Sequence, residues 1–337
     1  MTTMKQVAER AGVSTSTVSH VINNTRAVSA LARERVLAII DETRYIPSAI
    51  ARSLKNHRTA TLGVMVPNNV DPHFAELINA IEAAAFARSY SVMLCNGHAD
   101  CRKQADYLRG LLAKRIDGLI VVAGSADATM AAVLSTAGVP LVLVDGAVAG
   151  VSADLVESDH QAGAALATRH LVRLGHRRIA CVAGPPHWPA TSQQVAGYRL
   201  ALGEAGMPFD EDLLIHGDCT SKGGYQAVRQ LLALATPPTA VFACSDLMAL
   251  GGLCAAASLV QVPQQLSVIG YDNIALAACA NPRLTTIAQA TAAMGALATD
   301  LLLERIGGAH DPWRHAVLPT RLVERQSTAA ASQHAFN

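Results

Sequence analysis

A chain of 337 residues exceeds one ordinary domain and points to two or three. Half of it (51%) is apolar, yet no apolar run approaches the ~20 residues that a membrane-spanning helix requires. The opening MTTMKQVAER lacks the apolar stretch of a secretion signal, and the seven cysteines are odd in number and scattered, with no C-x-x-C pair. These features lead us to expect a cytoplasmic protein with reduced thiols, no metal site and no disulfide framework.

The net charge of +1 hides an asymmetry. Residues 1–60 hold nine basic and four acidic side chains, a net +5, and the remainder carries −4. A small basic module on a mildly acidic body suits a polyanionic partner.

In chain order, the segment MKQVAERA places Met4, Val7, Ala8 and Ala11 on one helical face, with Gly12 as the stop. Ser14 is a good N-cap for TSTVSHVI, where Val18, Val21 and Ile22 form the apolar stripe and Thr15, Ser16, Ser19 and His20 face away. A third helix, roughly SALARERVLAIIDETR, should turn Leu31, Val36, Leu37 and Ile40 inward. Two short helices joined by a glycine turn and braced by a third make a helix-turn-helix. The short hydroxyls and imidazole on its second helix suit hydrogen bonds to base edges and phosphates.

PSAIARSLKN follows at 47–56, with helical spacing but barely two turns of length. An isolated helix that short is marginal in water. From residue 61 the chain alternates β-branched strands with helices such as PHFAELINAIEAAAFARSY and SDLMALGGLCAAASLV. The nine strand candidates are TLGVMVPN, SVMLCN, GLIVVAG, LVLVDG, DLVESD, RIACVAGP, AVFACSD, SVIGYD and LTTIAQ. They fit parallel sheets covered on both faces, in two doubly wound lobes. Ligands of such sheets sit beyond the carboxyl ends of the strands, where this chain carries Asn68, Asp145, Asp159, Asp246, Asp272 and Gln289. Asp71, Ser221 and Asp246 also read as helix caps.

The words AGVSTSTVSHVIN, KRIDGLIV, GHRRIACVAGP, SDLMALG, GYDN and LTTIAQ together resemble the LacI/GalR family of transcriptional repressors, nearest its ribose and purine branches, over almost the whole chain. The resemblance implies an α/β protein with an N-terminal helix-turn-helix headpiece (1–46), a hinge helix and linker (47–60), a periplasmic-binding-protein-like effector and dimerisation core of two lobes (61–325) and a tail (326–337). It implies that Thr15, Ser16 and His20 face the bases of a half-site and that Ser14, Asn23 and Arg26 hold phosphates, with Ser19 also among the expected DNA-binding residues. PSAIARSLKN would be a hinge helix that folds when two copies meet on a palindromic operator. Leu54 would wedge into the central step from the minor groove, and Arg52 and Lys55 would serve the phosphates.

In the core the resemblance implies that Phe74, Asp145, Asp272 and Gln289 line the effector site, and His73, Trp188, Gln194 and Ser245 are expected to join them. The chain departs from the family there. Gln194 and Ser245 stand where sugar-binding members usually have Arg and Asn, and Gly146 where many have Arg or Trp. Trp188 and Ala190 stand where the purine branch has Arg and Thr. Losing an Arg removes a five-donor fork that nothing nearby replaces. Trp188, next to His187, can stack on a ring instead.

The expected protein is a homodimeric repressor of operator DNA, controlled by a sugar or related polyol and requiring no cofactor. A purine-type co-repressor and a degenerate effector site are the alternatives. The segment QSTAAASQHAFN has no leucine heptad for a tetramer. A transport binding protein would lack the headpiece. An enzyme is disfavoured by the absence of G-x-G-x-x-G, G-x-x-x-x-G-K-[ST], G-x-S-x-G and H-E-x-x-H motifs.

Overall fold

The structure, a computed structural model, describes residues 2–46, 58–97, 101–122 and 128–332. The hinge segment 47–56, with Arg52, Leu54 and Lys55, lies outside the described residues, as do residues 333–337. The chain divides into two compact units, Met1–Thr59 and Ala60–Asn337.

The first unit contains α1 (Met4–Ala11), α2 (Thr15–Asn23) and α3 (Ala30–Thr43). Thr3 and Gln6 start α1 reciprocally: the Thr3 hydroxyl accepts the Gln6 N–H, and the Gln6 side chain accepts the Thr3 N–H. Gly12, at φ 67°, ends it in the left-handed region. Val7, Ala8, Ala11, Val18, Val21, Val36 and Tyr45 form the buried cluster. Leu31 and Leu37 do not join it; they are 59% and 48% exposed. At about 100° per residue, Leu37 stands one step and Leu31 roughly 140° from Val36, and this small module covers a single stripe.

The second unit opens with β1 (Thr61–Val66), α4 (Pro72–Phe86), β2 (Ser91–Asn96), α5 (Cys101–Ala113), β3 (Gly118–Val122), α6 (Ala128–Ser135), β4 (Leu141–Val144) and β5 (Asp154–Ser158). It continues with α7 (His160–Arg173), β6 (Ile179–Ala183), α8 (Pro189–Glu204), β7 (Leu214–His216), α9 (Ser221–Leu232), β8 (Ala240–Ala243) and α10 (Asp246–Ala256). Then come β9 (Ser267–Asp272), α11 (Ala275–Cys279), β10 (Thr285–Ala288), α12 (Thr291–Ile306), β11 (His315–Leu318) and β12 (Arg321–Val323).

The strands form two six-stranded sheets, ordered β11-β5-β4-β3-β1-β2 and β12-β10-β9-β8-β6-β7. All pairs are parallel except β12 with β10. Five strands of each sheet repeat one doubly wound order, and buried β1, β3, β4, β6 and β8 read as continuous apolar runs because helices cover both faces. The nine anticipated strands are present. β7, β11 and β12 were not anticipated: they are short edge or near-edge strands, half exposed, without an apolar run to announce them.

The chain passes between lobes three times, from β5 to α7, from β10 to α12 and from β11 to β12, since α12 packs on α4 and on β3–β5 of the first lobe. Residues after 325, set apart above as a tail, stay bonded to the second lobe. The Val268 N–H donates to the Ser327 carbonyl at 2.8 Å, and the Ala331 N–H to the Leu174 carbonyl at 2.8 Å.

Candidate functional site

In the headpiece, the Ser14 hydroxyl accepts the Thr17 N–H at 3.1 Å and so starts α2. Burying Val18 and Val21 turns the other face of α2 outward, leaving Thr15, Ser16 and Asn23 exposed and Ser19 and His20 half-buried. His20 Nδ1 bonds the Thr25 hydroxyl at 2.8 Å, and the Asn23 amide donates back to the Ser19 carbonyl at 2.9 Å. Arg26 is exposed just beyond the helix. One helix face thus presents short donors and acceptors in a row, a pattern suited to a DNA groove.

In the core, a cleft of about 560 Å³, counting its open mouth, lies beyond the carboxyl ends of the strands of both lobes. It is lined by all eight core residues expected from the sequence: His73, Phe74, Asp145, Trp188, Gln194, Ser245, Asp272 and Gln289. Phe74 stands edge-on to Trp188, ring centres 6.4 Å apart, and next to His73 at 5.3 Å. Asp145, Asp272 and Cys219 of the lining all have positive φ (55°, 111° and 59°), conformations costly for non-glycine residues and concentrated at functional sites.

The polar groups are chained through the lobe crossings. His160 Nε2 donates to Asp145 Oδ1 at 3.1 Å, leaving Nδ1 to accept the Tyr271 hydroxyl at 3.2 Å. Gly163 lets α7 come this close, since a Cβ there would meet the Tyr271 hydroxyl oxygen at 2.7 Å. At the second crossing the Ser158 hydroxyl donates to Gln289 Oε1 at 2.7 Å, and the Gln289 amide donates to Asp272 Oδ1 at 2.8 Å.

The carboxyls respond differently to burial. At Asp145, burial alone would raise the pKa, but the adjacent His160 imidazole, His73 and the Ser158 N–H hold it below the usual carboxylate range. Asp272 is pushed well above that range by burial first, then by Asp246 and Asp71, despite the Gln289 amide. Asp71 is raised by burial against the His73 N–H, and burial holds the His73 imidazole low, against Asp145 and Asp71.

Several sequence expectations need adjustment. Asp71 does cap α4, accepting the His73 N–H at 3.0 Å, and also lines the cleft. The cap of α10 is Ser245, whose hydroxyl accepts the Met248 N–H at 3.2 Å. Asp246 is instead buried one residue later, accepting the Thr286 hydroxyl and the Ile274 N–H. Thr220, not Ser221, caps α9. Asn68 lines an adjoining space that shares Asp71, Phe74 and Trp188 with the cleft, and Asp159 caps α7. His160, Thr191, Cys219 and Cys244 line the cleft without having been singled out. The strand-end rule, applied one residue after Asp159 and two before Asp246, would have found His160 and Cys244.

The headpiece and the ligand-sized cleft define a DNA-binding regulator with a small-molecule receptor as its body. Residues 3–48 match the model of bacterial regulatory proteins of the lacI family, and residues 168–328 that of a periplasmic binding protein-like domain. The chain is 41% identical to the HTH-type transcriptional repressor PurR of Erwinia tasmaniensis over 332 residues, 98% of this chain and 97% of that one. A solved lac repressor dimer, bound to operator and the anti-inducer ONPF, is 32% identical with a TM-score of 0.89, covering 98% of this chain and 99% of its own. The regulator CelR in complex with cellobiose is 35% identical with a TM-score of 0.75, covering 97% of this chain and all (100%) of its own. The chain therefore belongs to the lacI family of bacterial regulatory proteins. It is a DNA-binding transcription repressor with an effector-binding core, not an enzyme. Among the described residues, no helix is long and apolar enough to cross a membrane.

Proposed function

We propose that this repressor acts in the cytoplasm as a homodimer on a palindromic operator, each headpiece reading one half-site. Thr15, Ser16 and His20 contact bases, Ser14, Asn23 and Arg26 hold phosphates, and Ser19 joins them on the DNA-facing side. Residues 47–56 supply the hinge, with Leu54 as the wedge and Arg52 and Lys55 on the backbone. The observation that carries this reading is the outward row of hydrogen-bonding side chains on α2, set on a sheltered apolar stripe. Operator binding by the Leu54→Ala protein tests it: affinity falls while ligand binding in the cleft is unchanged, and equal operator affinity would remove the wedge.

The effector is a small ring-bearing molecule, a sugar or related polyol, held by Phe74, Asp145, Trp188, Asp272 and Gln289, with His73, Gln194 and Ser245 completing the wall. Binding between the lobes shifts the repressor away from its operator-binding state, because a ligand moves an equilibrium only through its differential affinity for two states. The supporting observation is the convergence of carboxyl and amide groups beside two aromatic faces in one cleft. A purine-type co-repressor is the second reading, favoured by the full-length similarity to proteins named PurR. Melting the protein against pentoses, hexoses and nucleobases separates the two, since saturation at a hundred times Kd adds about 2.7 kcal/mol.

A further inference from the structure

The charge balance of the cleft singles out one kind of ligand. Three carboxyls line it, Asp71, Asp145 and Asp272, and among the described lining residues there is no lysine or arginine. Asp145 has His160 against it, at 3.1 Å. Asp71 and Asp272 have no such partner: Asp71 accepts the His73 N–H, Asp272 accepts the Gln289 amide, and Asp246 stands behind Asp272 as a further carboxyl. A ligand of hydroxyls alone can be met by a neutral amide such as Gln289, which offers an acceptor and donors without the desolvation cost of a charge.

Two further atoms on the walls are unsatisfied. His73 Nδ1, on a side chain 7% exposed, has no hydrogen-bond partner and stands 4.0 Å from Asp272 Oδ1, too far to bond it. Trp188 Nε1, a donor, is likewise buried without a partner. Buried polar atoms in native proteins nearly always have partners, so both point to groups on a ligand.

We propose that the effector carries a basic nitrogen, an ammonium or amidinium group, seated among Asp71, Asp272 and His73, with its ring against Phe74 and Trp188 and an acceptor atom for the Trp188 N–H. An anionic ligand would find no lysine or arginine among the described lining residues. This rests on the reading of the cleft as the effector site and narrows it to amino sugars and comparable nitrogen bases. Asp71 and His73 belong to the first lobe and Asp272 to the second, so the cation also ties the lobes together across the cleft.

The test uses three probes of one shape and different charge: benzylamine, benzyl alcohol and benzoate. They are titrated into the full-length protein while the indole N–H resonance of Trp188 is followed, assigned with the Trp313→Phe variant. Benzylamine is expected to bind about tenfold tighter than benzyl alcohol, and benzoate not to bind. In Asp272→Asn, and independently in Asp71→Asn, which keeps a good helix cap, the preference for benzylamine over benzyl alcohol is lost. Benzyl alcohol or benzoate binding as tightly as benzylamine overturns the charge assignment and leaves the cleft as the effector site. A Trp188 resonance that no probe moves overturns both.

Discussion

The headpiece and the effector cleft are built on opposite plans. In the headpiece, the side chains proposed to meet DNA lie within thirteen residues of each other, Ser14 to Arg26, on one helix and its exit turn. Its core is a single small cluster around Val7, Val18 and Val36. In the cleft, neighbours such as His73, Asp145, His160, Asp272 and Gln289 come from five separate strand or helix ends, held by the three lobe crossings. A surface read on one helix can be specified locally and supported cheaply. A ligand site at strand ends needs two large, well-packed lobes to fix it, which is where most of this chain is spent.

If the two units are stabilised separately, a defect in one leaves the other intact, and residue-resolved hydrogen exchange distinguishes them. The largest effect is expected from Arg305→Ala. Arg305 donates twice to Asp154, at 2.7 and 2.8 Å, and its loss leaves that carboxylate with the Arg314 N–H alone, at a cost of about 3 kcal/mol. Protection should fall across the core and stay unchanged in α1–α3; loss in both would show that the units unfold together.

A pH effect confined to the core comes next. Burial pushes the Asp246 carboxyl up to about 7 from an ordinary 3.8, against the bonds from Thr286 and Ile274. The folded state therefore holds this proton more tightly than the unfolded state. Its contribution is complete below about pH 4 and is lost as pH rises toward about 7. Core stability of the native protein should decline over that window relative to Asp246→Asn; parallel curves would contradict the assignment.

In the headpiece, Val36→Ala removes a fully buried side chain from a cluster with few other members, at a cost of about 2 kcal/mol. Exchange should rise in α1–α3 alone, and operator binding should weaken without a change in ligand affinity. The smallest effect is Thr3→Ala, which deletes one half of the α1 capping box for about 1 kcal/mol, visible as fraying of the first turn.

The sequence by itself determined the elements whose signals are local. Ser14 followed by a valine stripe specifies α2 because capping and burial act within one turn. The β-branched runs specify the central strands because both faces of a parallel sheet are covered. The strand-end polar residues together with the family likeness located all eight expected cleft residues. Tertiary structure decided the rest. Only three-dimensional packing exposes Leu31 and Leu37 while burying Val36, because the helix stripe that is covered depends on where the partner helices lie. Edge strands β7, β11 and β12 exist through pairing with a sheet, not through their own composition. Ser245 takes the cap that Asp246 was expected to fill, since Asp246 is drawn inward by Thr286 and the Ile274 N–H, residues 40 and 28 positions away. The partnerless Nδ1 of His73 and the carboxyls of Asp71 and Asp272 face one another only after two lobes have folded. Charge and hydrogen bonding act over ångströms of space, and the positions that share such a space here are separated by some two hundred residues of chain.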